Sequence, residues 1–90
     1  GRPSARSVGQ ILLSRGDVQS AIEWLERAGE APAPTSEDSH RLLYELADAL
    51  EAAGETARAL AICLELRAEA GEYQDVAMRV DRLLRAQARG

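Results

Sequence analysis

This chain of 90 residues has no Phe, no Lys and no Asn, and its aromatic share is only 3%. With a hydrophobic share of 46%, the core must come from Leu, Ile, Val and Ala, which suits close-packed helices better than a β-sandwich. Pro falls only at Pro3, Pro32 and Pro34, so no predicted helix interior is broken. The single Cys63 excludes an intramolecular disulfide and reads as a small core residue. A cytoplasmic setting is the default, and a periplasmic one is compatible with the absence of disulfides. No apolar run approaches the roughly 18 residues needed to span a bilayer, and no stretch of these residues reads as a signal peptide. A net charge of −4 argues against bulk affinity for nucleic acid or anionic membranes. All eleven basic residues are Arg; with so much Ala, this points to a GC-rich, bacterial genome. The opening Gly1-Arg2-Pro3, with no initiator Met, reads as the start of a piece of a longer protein.

What is present is a repeated pattern. GDVQSAIEWLERA from Gly16 and GETARALAICLEL from Gly54 share one plan. Each begins with Gly and an acidic residue (Asp17, Glu55). Each then places Ala five residues after the Gly (Ala21, Ala59) and follows it with an aliphatic residue (Ile22, Leu60). Upstream, small residues stand seven positions before each Gly (Gly9, Ala47), and apolar ones four before (Leu12, Leu50) and eight before (Val8, Leu46). Self-similarity on this scale is the mark of stacked helical hairpins.

Apolar spacing predicts five helices. The first runs from about Ser4 to Arg15, with Ala5, Val8, Ile11 and Leu12 on its apolar stripe, and ends at Gly16. The second runs from about Val18 to Gly29, capped by Asp17, and buries Val18, Ala21, Ile22, Leu25 and Ala28. A Pro-rich loop covers residues 30–36, and Thr35 with Asp38 approximates a capping box. The third, about Ser36 to Ala53, buries Leu42, Leu43, Leu46, Leu50 and Ala53 and is closed by Gly54. The fourth, about Thr56 to Ala70, turns Ala59, Leu60, Cys63 and Leu66 inward. The fifth, about Tyr73 to Gln87, turns Val76, Val80, Leu83 and Leu84 inward, with Arg79, Arg82, Arg85 and Arg89 opposite. The last residues are expected to fray.

These positions resemble the tetratricopeptide repeat, a hairpin of about 34 residues with a W-x2-L-G-x2-Y…A-x3-F…P pattern. Val8-Gly9, Leu12, Ala21, Leu25 and Ala28 follow it in the first copy. Leu43, Leu46-Ala47, Leu50, Ala59 and Cys63 follow it in the second. Ala5 stands at the Trp position and the aromatic positions are aliphatic. The two glycines lie 38 residues apart, the surplus fitting the Pro-rich loop. The resemblance implies an all-α, right-handed superhelix in a single domain. Repeat one covers about 4–29, loop 30–36 follows, repeat two covers about 37–70, and a C-terminal capping helix about 73–87.

Residue chemistry suggests no catalyst. His40 and Cys63 fall on different helices, so His40 is expected to be exposed and solvated. Glu37 and Asp38 suit a helix N-terminus, and the glycines are spaced as helix stops rather than as a phosphate cradle. No metal, cofactor or catalytic residue is expected.

The resemblance also implies a concave groove lined by the first helix of each hairpin. Here it would show Arg6, Gln10, Leu13 and Ser14, then Arg41, Tyr44, Glu45, Asp48 and Glu51, then Met78, Arg79, Arg82 and Arg85. The charges read either as a partner site or as pairs across neighbouring helices that keep the face soluble. Arg6, Gln10 and Arg82 imitate part of a carboxylate clamp, but Asp48 would repel the incoming carboxylate. Trp24 reads either as an interface anchor or as packing against Pro32 and Pro34.

The expectation is a non-catalytic module of a bacterial scaffold, binding a protein or peptide segment in the groove, with no nucleic acid and no membrane insertion. The alternative is homo-oligomerisation through the terminal helices.

Overall fold

A computed structural model of the chain describes residues 11, 12, 14–30 and 35–89. The local rule that builds it is visible at Gly54. Glu55 N–H donates to Leu50 C=O at 2.9 Å and Gly54 N–H to Glu51 C=O at 3.0 Å, which together form a Schellman closure. Gly54 sits at φ 79°, where an L side chain clashes with its own backbone. Glu55 then begins the next helix at once, its C=O accepting from Ala59 N–H at 2.9 Å. Thirty-eight residues earlier the same turn recurs. Gly16 lies at φ 83°, Asp17 N–H donates to Leu12 C=O at 2.9 Å, and Ala21 N–H donates to Asp17 C=O at 3.0 Å. Asp17 adds a side-chain cap by accepting from Ser20 N–H at 3.3 Å.

Four complete helices follow among the described residues: α1 (Val18–Gly29), α2 (Ser36–Ala52), α3 (Thr56–Ala70) and α4 (Val76–Arg89). Residues 11, 12 and 14 are also helical and belong to the end of the first predicted helix. The rest of that helix, including Ala5, Arg6, Val8, Gly9, Gln10 and Leu13, lies outside the described residues, as do Pro32 and Pro34. The fold is all-helical, and no strand occurs among the described residues. Thr35 caps α2 as expected, accepting from Asp38 N–H at 3.1 Å.

The repeat reappears in the burial pattern. Ala21, Ile22 and Leu25 of α1 and their counterparts Ala59, Leu60 and Cys63 of α3 are all buried. Ala47, Ala49, Leu50, Leu66, Val76, Val80 and Leu83 complete the core. Each fully buried Leu contributes about 1.5–3 kcal/mol. Each helix packs on the next, most extensively α2 on α3. The short turns at residues 53–55 and 71–75 reverse the chain, so α2 and α4 run in the same direction on one side of α3.

Three expectations need correction. The final helix begins at Val76, not near Tyr73, because the chain leaves α3 at Gly71 and Gln74 adopts φ 48°, which no helix accommodates. That helix remains regular to Arg89 rather than fraying after Gln87. Leu84, expected inside, is 50% exposed, since Val76, Val80 and Leu83 already form the row that meets the core.

If Ala59 marks the close approach of the paired helices, Ala59→Leu should overpack it and cost about 1–3 kcal/mol. Ala88→Leu, on an exposed position, should leave urea unfolding unchanged. Equal shifts for the two would contradict this placement.

Candidate interaction surface

Because α2 and α4 run parallel, residues of the two helices meet at a constant sequence separation. Tyr44 Oη donates to Asp75 Oδ1, Arg79 donates to Asp48 Oδ1 at 3.0 Å, and Arg82 donates to Glu51 Oε1, each across 31 residues. Positions 44, 48 and 51 on α2 follow the i, i+4, i+7 spacing of one helix face, and 75, 79 and 82 repeat it at and beyond the start of α4. The result is a ladder of polar rungs that bolts α4 onto α2.

Arg79 is the centre of the ladder. Its Nε also donates to Asp75 Oδ1 at 3.0 Å, and its guanidinium lies 4.7 Å from the centroid of the Tyr44 ring, within cation–π range. Its side chain is only 13% exposed. Burial alone would lower its proton affinity. The hydrogen bond to Asp48, the charges around it and the bond to Asp75 outweigh this, and the net shift is upward. Tyr44 is pushed up by burial first and by its bond to Asp75 second, so it remains a donor. Asp75 is held below the ordinary carboxyl value, chiefly by the Tyr44 hydroxyl; burial opposes this and Arg79 reinforces it.

Above the ladder, Tyr73 packs 5.8 Å from the Tyr44 ring and edge-on to His40 at 6.0 Å. His40 is therefore half-buried against an aromatic ring rather than solvated. Burial pushes the Cys63 thiol up, which keeps it protonated, in keeping with its place in the core.

The expected groove residues divide into groups. Tyr44, Asp48 and Arg79 are joined in the ladder, and Arg82 is tied to Glu51 while remaining about half exposed. Arg85 pairs within its own helix, with Asp81 at 3.1 Å, and is 74% exposed. Met78 is 59% exposed. Met78, Arg82, Arg85 and Arg89 fall at i, i+4, i+7 and i+11, a single outward line on α4. Arg6 and Gln10 lie outside the described residues. Trp24 is half-buried on α1, with the Arg27 guanidinium 4.9 Å over its ring.

The sequence assigned no role to Asp75 and placed Tyr73 only at the approximate start of the last helix. Asp75 carries a local signal, an i, i+4 pair with Arg79. Tyr73 has none, since its role depends on the turn that brings it over α2. Among the described residues no group of three His, Cys, Asp or Glu is placed to hold a metal ion, and no helix is long and apolar enough to cross a membrane. No protein family, curated protein or solved structure matches this chain.

Two outcomes are expected. Arg79→Ala removes a largely buried charge from two carboxylates and should cost about 1–3 kcal/mol. Arg85→Ala breaks an exposed pair and should cost at most about 0.5 kcal/mol; urea titrations of both proteins compare them. Asp75 stabilises the fold above its unfolded value of about 3.9, and this contribution is lost as pH falls through its lower folded value. Stability measured from pH 7 downward should therefore fall less steeply below about pH 4 in Asp75→Asn than in the unaltered protein.

Proposed function

We propose that this chain is a non-catalytic protein-binding module of the tetratricopeptide-repeat type. In this reading the first predicted helix and α1 make one hairpin, α2 and α3 the next, and α4 covers the last repeat of a right-handed superhelix, giving five helices in all. The support is internal: two turns of the same geometry, two matching buried rows, and a first helix of one hairpin (α2) lying parallel to the helix after it (α4).

The partner would dock along α4 on the side of the ladder. One observation carries this choice. The ladder fixes α4 against α2, and the line Met78, Arg82, Arg85 and Arg89 then stands on a rigid base with one half-exposed and two largely exposed guanidinium groups. Such a line fits an extended or helical segment that offers an apolar residue to Met78 and acidic residues to Arg82 and Arg85. Tyr44 and Arg79 would act through the base rather than by contact, and Asp48 is neutralised by Arg79 rather than left to repel an acidic group.

A photoreactive residue at position 78 tests the reading. The trapped partner should be lost on reversing Arg85 and Arg89 together to Glu, with only a small fall in the thermal midpoint from the exposed like-charge contact with Asp81. Arg82→Glu should lose the same partner and also lower the midpoint, because it turns the Glu51 rung into a like-charge contact. Capture that persists through all three reversals would remove α4 as the docking line.

A further inference from the structure

Charge is divided unevenly along this chain. α4 carries four of the eleven arginines and one of the fifteen acidic residues, although the whole chain stands at −4. Arg79 is enclosed in the ladder, whereas Arg82, Arg85 and Arg89 stand on the outward line that Met78 begins. Glu51 pairs with the first of these and Asp81 with the second, and Arg89 donates to the Arg85 carbonyl at 3.5 Å. Exposed pairs of this kind are worth little and exchange readily for an incoming carboxylate. At Met78 the line runs into a concavity. Residues 72–78 enclose a cavity of about 310 Å³, to which Tyr73, Ala77 and Met78 bring apolar surface and Glu72 and Gln74 polar groups. This volume is at the lower end for a binding pocket and suits one large apolar side chain. Met78 belongs to both features, so pocket and arginine line form one surface.

The spacing of that surface selects the shape of its occupant. Arg82, Arg85 and Arg89 lie roughly 6, 10.5 and 16.5 Å beyond Met78 along the axis of α4. An extended segment presents one face about every 6.8 Å, so it meets Arg82 and is out of step by Arg85. A second helix matches every interval. Its direction follows from charge. Carboxylates are favourable toward a helix N-terminus and a cation toward its C-terminus, and neighbouring helix dipoles favour opposed directions. An acidic N-terminal half over the arginines places the occupant's C-terminal end at the pocket, where the exposed Glu72 can receive a basic residue.

We infer that α4 takes an acidic amphipathic helix of another protein, running antiparallel to it. Acidic residues at i, i+4 and i+7 of the partner meet Arg89, Arg85 and Arg82, and an apolar side chain at i+11 enters the pocket beside Met78. The inference rests on docking along α4 and adds the partner's conformation, direction and anchor.

Two helical peptides of the same composition, followed by fluorescence anisotropy with the whole chain, provide the test. One carries Glu at i, i+4 and i+7, Leu at i+11 and Arg just beyond it; the other has this order reversed. The first should bind roughly fivefold more tightly or better. Replacing its Leu by Ala should weaken binding about tenfold. Ala77→Gln, at an exposed position, narrows the pocket without touching the arginines. It should weaken the Leu peptide by a similar factor and leave the Ala peptide unaffected. Equal binding of the two orders, no binding of either, or an Ala77→Gln chain that still distinguishes Leu from Ala overturns the inference. So does tighter binding of an extended peptide with Glu at alternate positions. Docking along α4 is read separately, from the partner trapped at position 78. If that capture is lost on reversing Arg85 and Arg89 while the peptides fail, the antiparallel helix is overturned and the docking line stands; if capture persists, both are overturned.

Discussion

The closure of α2 at Gly54 sets the direction in which α3 leaves, and the rest of the architecture follows from that angle. A helix that ends in a Schellman motif and restarts on the next residue has no slack. The two helices must then lie close along their whole length, and only small side chains tolerate that distance. Ala47, Ala49 and Ala59, all fully buried, are the response to this constraint. The larger residues Leu50, Leu60 and Leu66 are buried alongside them. A chain this short buries a modest fraction of its surface, so a turn that removes conformational freedom at a fixed point has a disproportionate effect.

A second constraint operates between helices that are not consecutive. α2 and α4 meet through charged and hydroxyl groups rather than through Leu and Val. Exposed ion pairs add little stability, and partly buried ones roughly balance attraction against desolvation. What the ladder contributes is register. A slip of α4 by one turn along α2 would set Arg79 opposite Tyr44 or Glu51 and leave Asp75 without its hydroxyl donor. An apolar seam penalises such a slip far less, because one Leu can replace another. Side chains that must match by charge and by geometry hold α4 in one position.

Much of this was legible in the sequence and some was not, for reasons that can be traced. Gly and Ala positions exposed the turns, since few residue types satisfy a positive φ or a close helix contact. The starts of α1 at Val18 and of α3 at Thr56, and the end of α3 at Ala70, follow from the stops at Gly16, Gly54 and Gly71. The turn over residues 73–75 was missed because Tyr73-Gln74-Asp75 carries no Gly or Pro, and the positive φ of Gln74 is imposed by its surroundings. Leu84 was placed inside because helical spacing identifies an apolar arc, whereas the width of that arc actually covered depends on the neighbours present. The rungs of the ladder involve partners 31 residues apart. Local periodicity shows each face separately and does not show that the two faces meet.

The second copy of the repeat places Cys63 where the first has Leu25, and both are buried. A thiol sealed in this way, and kept protonated by its surroundings, reacts with a reagent only while the helices around it are parted. The chain therefore contains a single chemical clock at the meeting point of α2, α3 and α4. The rate at which that sulfur becomes modified under native conditions reports how often this junction opens. Comparing that rate with the rate of global unfolding would distinguish a domain that breathes one hairpin at a time from one that comes apart as a unit.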